Sequence, residues 1–339
     1  MLTRRTLARR TLEGVAAAAL AACVTTGAVA EEVTLKTLTA LPTQHTLSKS
    51  YIKHFIEPLN EAGKGVIQIN LLGGPEVTPA DRAPQALQRG VIDILFTPAA
   101  YISGVVPQAQ AMMLQNIGVD KLHENGAFDL YSDVFNKELD AHFLAWSETG
   151  AGSGYYLYTT KKPPMKDGVV DLTGLSMRTT GAYRPLQEAL NATTVQIPSG
   201  DVPTGLERGV IDGFGWPTVG LASIGLAELV KYRIEPAFYN LADVVLVSNK
   251  AWNTLSDEAK KILTDTARAY ETASVEEIIA RNKDDIAAAD AAGVEAITMD
   301  GDAGDKYLAI ASDAMWGRVN QKVGDEELKT LRGLLDKNN

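Results

Sequence analysis

The sequence predicts an α/β protein of two similarly built lobes, each with a mixed, mainly parallel sheet, a cleft between them and a long helix spanning both. Three observations carry this. The segment Leu-Gln-Arg-Gly-Val-Ile-Asp at 87–93 returns as Leu-Glu-Arg-Gly-Val-Ile-Asp at 206–212. Strand and helix periodicities alternate as β-α-β-α-β around both copies, an order that gives parallel strands with right-handed crossovers. After Ser256 a helical pattern continues to about Ala291, which at ~1.5 Å per residue is roughly 50 Å and longer than one lobe.

Each copy of the repeat reads as a helix ending in Arg, capped by Gly, then a short apolar strand carrying Asp. Each is soon followed by a proline, in Thr97-Pro98 and in Trp216-Pro217. The offset of 119 residues between Leu87 and Leu206 is too long for a solenoid. Two lobes with equivalent strand ends facing each other enclose a cleft, and clefts between domains hold small ligands.

In order along the chain, Val33–Leu41 alternates as a strand and leads into the loop Pro42-Thr43-Gln44-His45. A helix runs from about Thr46 to Ala62. Gly65–Leu72 is a strand ending in Gly73-Gly74-Pro75-Glu76, Thr78–Arg89 a helix and Val91–Phe96 a strand. The second lobe repeats the order with strands at Tyr155–Thr160, Leu175–Thr179 and Thr193–Ile197. Its helices lie at Tyr183–Leu190 and from Asp201 onward. Ser256 caps the long helix, with Asp257 and Glu258 in its first turn. Val294–Met299 is a late strand, and Asp302–Val323 and Asp325–Leu335 are closing helices. These assignments place 31–155 with about 244–283 in the first lobe, and about 156–243 with 284–339 in the second. In open sheets of this kind ligands sit at the carboxyl ends of the strands.

Residues 1–30 read as a targeting segment. Arg4, Arg5, Arg9 and Arg10 form a basic head, Gly14–Val24 an Ala-rich run too short to span a bilayer, and Ala28-Val29-Ala30 a small-residue cleavage site. Thr3-Arg4-Arg5-Thr6-Leu7 loosely resembles a twin-arginine signal. A competing reading takes Leu20-Ala21-Ala22-Cys23 as a lipobox, which leaves Cys23 lipidated. Both readings export the protein to the periplasm. Cys23 is the sole cysteine of the 339 residues, so no disulfide framework or thiol chemistry is expected.

Removing residues 1–30, with four arginines and one glutamate, takes the net charge from −10 to −13. That argues against nucleic acid and an anionic membrane surface as partners. It leaves an anionic small ligand open, since a local pocket can be basic.

Catalytic machinery is not apparent. His45, His54, His123 and His142 have no metal-ligand spacing, and no phosphate loop, dinucleotide fingerprint or nucleophile elbow occurs. No metal and no cofactor is expected. Strand ends supply the candidates instead. Arg178 ends a second-lobe strand, where a guanidinium can grip a carboxylate through two parallel hydrogen bonds, or can simply pair with a neighbouring acid at the rim. Trp216 follows the second repeat and can stack on a ligand or pack in the core. Glu76 stands at the mouth of the first lobe or compensates a helix N-terminus. His45 lies in a strand-end loop, Thr97 and Tyr101 follow the first repeat, and Tyr155 and Tyr156 enter the second lobe facing either cleft or core.

The chain resembles the extracytoplasmic solute-binding proteins of TRAP transporters, the DctP-type family. The resemblance rests on Pro-x-x-His at 42–45, Gly-Gly-Pro-Glu at 73–76 and Ala-Leu-Gln-Arg-Gly-Val-Ile-Asp at 86–93. It continues with Asp-Leu-Thr-Gly-Leu-Ser-Met-Arg at 171–178 and Gly-Leu-Glu-Arg-Gly-Val-Ile-Asp-Gly at 205–213. It implies a two-lobed periplasmic binding protein that works mostly as a monomer and closes around an organic acid gripped by Arg178. It further implies hand-over to a TRAP membrane permease driven by sodium, and no catalysis. Two positions depart from the family pattern. Where many members carry Glu-Asn-Pro this chain has Gly215-Trp216-Pro217. The tryptophan resembles the oxo-acid-binding branch, yet Gly215 lacks the acid that helps hold a metal ion there. Sialic-acid binders have a second arginine before Thr-Thr, whereas Leu157-Tyr158 stand here. The pocket therefore reads as one for a monocarboxylate with an apolar or aromatic body. Competing functions are a binding protein for an ABC importer or sensor, and, less favoured, a periplasmic enzyme.

Overall fold

A computed structural model describes residues 32–150 and 154–336. The expected targeting segment, with Cys23, lies outside them. Within the described residues no helix is long and apolar enough to cross a membrane.

The strands are β1 (Val33–Thr39), β2 (Ile67–Gly73), β3 (Ile94–Pro98), β4 (Ala141–Ser147), β5 (Tyr155–Thr159), β6 (Met165–Lys166) and β7 (Val169–Val170). They continue with β8 (Ser176–Arg178), β9 (Thr193–Val195), β10 (Gly213–Pro217), β11 (Tyr232–Phe238), β12 (Asp243–Ser248) and β13 (Glu295–Thr298). One sheet has the order β2-β1-β3-β12-β4 and the other β13-β11-β5-β10-β8-β9, while β6 and β7 form a small hairpin. In each large sheet one strand runs against the rest, β12 in the first and β5 in the second. Those two strands are exchanged: β5 follows β4 of the first sheet, and β12 follows β11 of the second. The order β9-β8-β10-β5-β11 thus mirrors β2-β1-β3-β12-β4, the two-lobed plan that the repeat implied.

The repeat itself explains how each sheet starts. The helices Ala83–Gln88 and Val202–Glu207 end at Arg89 and Arg208. Gly90 and Gly209 follow at φ 65° and 66°, left-handed positions that favour glycine. Val91 N–H then bonds back to Ala86 O, and Val210 N–H to Gly205 O, each at 2.9 Å. Next, Asp93 donates its N–H to Lys36 O at 2.9 Å and accepts from Lys36 N–H through Oδ2 at 2.8 Å. Asp212 does the same with Ser176, at 2.7 and 3.0 Å. Each Asp occupies the place of a strand residue with its side chain. The ladder therefore begins at Ile94 and Gly213, later than the sequence reading placed it. Asp93→Ala and Asp212→Ala should each lower stability by roughly 1–3 kcal/mol, in similar amounts, as read by urea unfolding.

The helix expected at 46–62 is continuous but changes pitch, with a π segment at Ile52–Ile56 between Thr46–Tyr51 and Glu57–Ala62. Pro58 has no N–H to give to the preceding turn, and the wider turn accommodates its ring. The long helix Asp257–Ala291 is capped by Ser256, whose hydroxyl accepts from Ala259 N–H at 3.2 Å. It is fastened to the first sheet where Glu271 accepts from Trp146 N–H at 2.7 Å. It reaches the second where Asp285 accepts from Gly220 N–H at 3.0 Å and Asp290 pairs with Arg233 at 2.7 Å. One apolar core runs through both sheets. A smaller one, holding Tyr156, Tyr158, Phe214 and Trp216, lies against the second.

Candidate functional site

The carboxyl ends of β3, β8 and β10, the loop after β1, and the first residues of the reversed strands β5 and β12 meet in one cavity of about 30 Å³. Reversal is what brings Tyr155 and Asp243 there. An antiparallel strand starts where its parallel neighbours end, and Asp243 stands opposite Pro98 while Tyr155 stands opposite Pro217.

Of the residues read from the sequence, His45, Tyr101, Tyr155, Arg178 and Trp216 line this cavity. Arg178, the last residue of β8, is 2% exposed. Its Nε donates to Ile197 O at 3.2 Å, and its Cζ lies 5.9 Å from the Trp216 ring centre. No carboxylate of the described residues lies within ion-pair distance, so the rim-pairing alternative is not what the fold contains. A buried guanidinium without a counter-charge is costly, and a ligand anion relieves that cost.

Trp216 lines the cavity and also packs in the core. Its ring touches the cavity and packs on Phe214, with centroids 6.0 Å apart, and on His45 at 5.8 Å. His45 caps the helix from Thr46, its Nδ1 accepting from Leu47 N–H at 3.2 Å. That bond assigns the ring proton to Nε2. Burial lowers the imidazole pKa to about 4, so the ring is a neutral donor.

Three expected residues are elsewhere. Tyr156 is the neighbour of Tyr155 on β5 and, by strand alternation, packs on the far side, 5.6 Å from Arg233. Thr97 is buried beneath the cavity and its hydroxyl donates to Pro98 O at 3.2 Å. Glu76 is exposed, and its carboxylate accepts from Gly74 N–H at 2.6 Å, closing its own turn.

Sequence reasoning missed Tyr183 and Asp243. Tyr183 packs edge-on against Tyr155 at 5.4 Å, and its ring lies over the backbone of Gly215. A Cβ at position 215 would meet that ring at 2.3 Å. Glycine there is a packing requirement, and the position has no room for an acid that would hold a metal ion. Gly215→Ala should displace Tyr183, cost about 1–3 kcal/mol of stability and weaken ligand binding, as read by melting and titration. Asp243 is fully buried at the head of β12, and burial raises its carboxyl pKa to about 7. Glu148, just after β4, accepts from the Tyr270 hydroxyl at 3.3 Å. Burial first, and then the charge of Asp243, push its pKa up as well.

Comparison with known proteins agrees with this architecture. Residues 39–306 match the model of the family described as bacterial extracellular solute-binding protein, family 7. The monocarboxylate 2-oxoacid-binding periplasmic protein of Nostoc sp. is 26% identical over 227 residues, covering 64% of this chain and 58% of that relative. Among solved structures, Bordetella pertussis DctP7, an extracytoplasmic solute receptor binding pyroglutamic acid, superposes with a TM-score of 0.77 at 15% identity. That superposition covers 89% of this chain and 99% of DctP7. A TRAP periplasmic solute-binding protein of Desulfovibrio salexigens with bound orotic acid gives 0.76 at 17% identity, covering 89% and 97%. With two mirrored sheets, a helix that braces both and a family match over most of its length, the chain belongs to family 7 of the bacterial extracellular solute-binding proteins.

Proposed function

We propose that this protein captures a small organic acid between its sheets by pairing the ligand carboxylate with Arg178, and hands it to a TRAP permease for sodium-coupled uptake from the periplasm. The carrying observation is the buried Arg178 guanidinium, turned to the cavity with no acid beside it. The relatives support the class: the Nostoc protein is a 2-oxoacid binder, and pyroglutamic and orotic acids are carboxylic acids held by the structural neighbours. Aromatic and apolar walls from Tyr101, Tyr155, Tyr183, Trp216 and Leu241 favour a monocarboxylate with an apolar or aromatic body. Binding, not turnover, is the role.

Entry requires a hinge. A cavity of about 30 Å³ holds only about two waters, so the lobes must part before an acid is seated. We place the hinge at the two crossings, from β4 to β5 and from β11 to β12, with the lobes at 31–155 plus about 244–283 and about 156–243 plus 284–339. Arg178 then receives the carboxylate in the open form. Closure brings His45 and Tyr101 over it and strengthens the ion pair by excluding water. The test is thermal melting against a panel of organic acids. A ligand at 100–1,000 times its dissociation constant should add roughly 3–4 kcal/mol. Scattering should show a smaller envelope with that acid, and an unchanged envelope would contradict the hinge.

A further inference from the structure

We propose that Asp243 is a second polar anchor of the cavity, and that the ligand is an organic acid bearing a hydroxyl or N–H donor placed to reach it. This rests on the organic-acid reading above and narrows it. Asp243 is 0% exposed and lines the cavity, yet neither of its carboxyl oxygens has a hydrogen-bond partner. Its backbone lies in the sheet opposite Pro98 and Ser147, and its carbonyl accepts from the Ser147 hydroxyl at 3.4 Å, so the fold uses the main chain and leaves the side chain unused. Replacing it by any apolar residue of the strand, which continues Val244-Val245-Leu246-Val247, would keep the sheet.

The surroundings offer the carboxyl nothing else. Glu148, Tyr155, Tyr183 and Tyr270 each feel its charge, and none has an observed bond to it. Among the described residues no Lys or Arg pairs with it, and Arg178 faces the same cavity from the other sheet. A guanidinium without an ion-pair partner and a carboxyl without a hydrogen-bond partner therefore face one cavity from different sheets, Arg178 as a donor and Asp243 as an acceptor. A buried acceptor left without a donor is penalised. A ligand with a carboxylate and a donor group satisfies both anchors, while one lacking the donor leaves Asp243 stranded, which is how a polar site rejects an analogue.

The test uses two scaffolds of matched acids, titrated calorimetrically into the purified protein. Butyrate is compared with 2-, 3- and 4-hydroxybutyrate and 4-aminobutyrate, and benzoate with its hydroxy and amino derivatives. The hydroxy and amino arms separate the two donor types. At least one donor-bearing acid should bind about 10- to 100-fold more tightly than its parent. In Asp243→Leu that preference should shrink to within about threefold. Asp243→Asn, which keeps an acceptor oxygen, should retain part of it. Parent and donor-bearing acids binding alike to the wild type, or a preference that survives in Asp243→Leu, would overturn the anchor while leaving the organic-acid reading intact. Failure of every acid to bind would overturn both.

Discussion

Arg178→Leu should lower the affinity for the captured acid by about 10²–10³-fold or more and leave the ligand-free fold no less stable. The first half follows from the cost of stranding one partner of a buried ion pair, about 3–5 kcal/mol, at 1.4 kcal/mol per factor of ten. In the variant the ligand carboxylate would enter a wall of Trp216, Tyr183 and Leu with no counter-charge. The second half follows because the guanidinium makes no ion pair among the described residues. Its loss removes one hydrogen bond to Ile197 O, worth about 0.5–1.5 kcal/mol, and also removes the burden of a desolvated charge. A structural arginine behaves oppositely, its removal lowering the melting temperature and sparing affinity. Arg178→Lys should fall between, because an ammonium keeps the charge and loses the two-pronged geometry. Titration and melting of the same three proteins separate these behaviours.

Asp243→Asn should stabilise the ligand-free protein at pH 8 by roughly 1–3 kcal/mol or more, and by much less at pH 4–5. The sign comes from linkage. The Asp243 carboxyl titrates near 7 in the folded protein and at about 3.9 when unfolded. Between these values the folded state holds the extra proton, so stability falls as pH rises from about 4 through 7. Below that window both states are protonated and the penalty vanishes. The asparagine removes this slope. Glu148, raised in the same direction chiefly by burial, keeps a slope of its own when the Asp243 charge is gone. Urea unfolding at pH 5 and pH 8 measures both. A wild-type curve rising across this window would contradict the buried, unpartnered state of Asp243.

Most of the frame was legible in the sequence because it is written in local chemistry. The Arg-Gly caps, the Ser256 cap and the closing helices Asp302–Val323 and Asp325–Leu335 appear where their residues demand them. Less legible were β4, β11 and β12. The strand Asp243-Val244-Val245-Leu246-Val247-Ser248 is buried on both faces and has no alternation, and such runs read equally as strand or helix core. With β12 unassigned, Asp243 had no visible place. An acid heading an apolar run was the available signal. Arg178, Trp216, His45, Tyr101 and Tyr155 reach one cavity because they stand at or just beyond strand ends, where open sheets form clefts. Adjacent positions were harder. Tyr155 and Tyr156 differ by one residue, and only the register with β10 decides which faces the cavity. Glu76 satisfies a turn two residues away, a local bond that competes with any role across the cleft. Tyr183 became visible only through Gly215, whose missing side chain makes space for the ring.

The most direct measurement titrates the tightest acid of the panel and its methyl ester into the wild type and Arg178→Leu. If Arg178 holds the carboxylate, the acid binds the wild type at least 100-fold more tightly than the ester, and the variant binds both weakly with no preference. An ester that binds the wild type as tightly as the acid, or an acid preference kept in Arg178→Leu, would show that the carboxylate is not what this cavity recognises through Arg178.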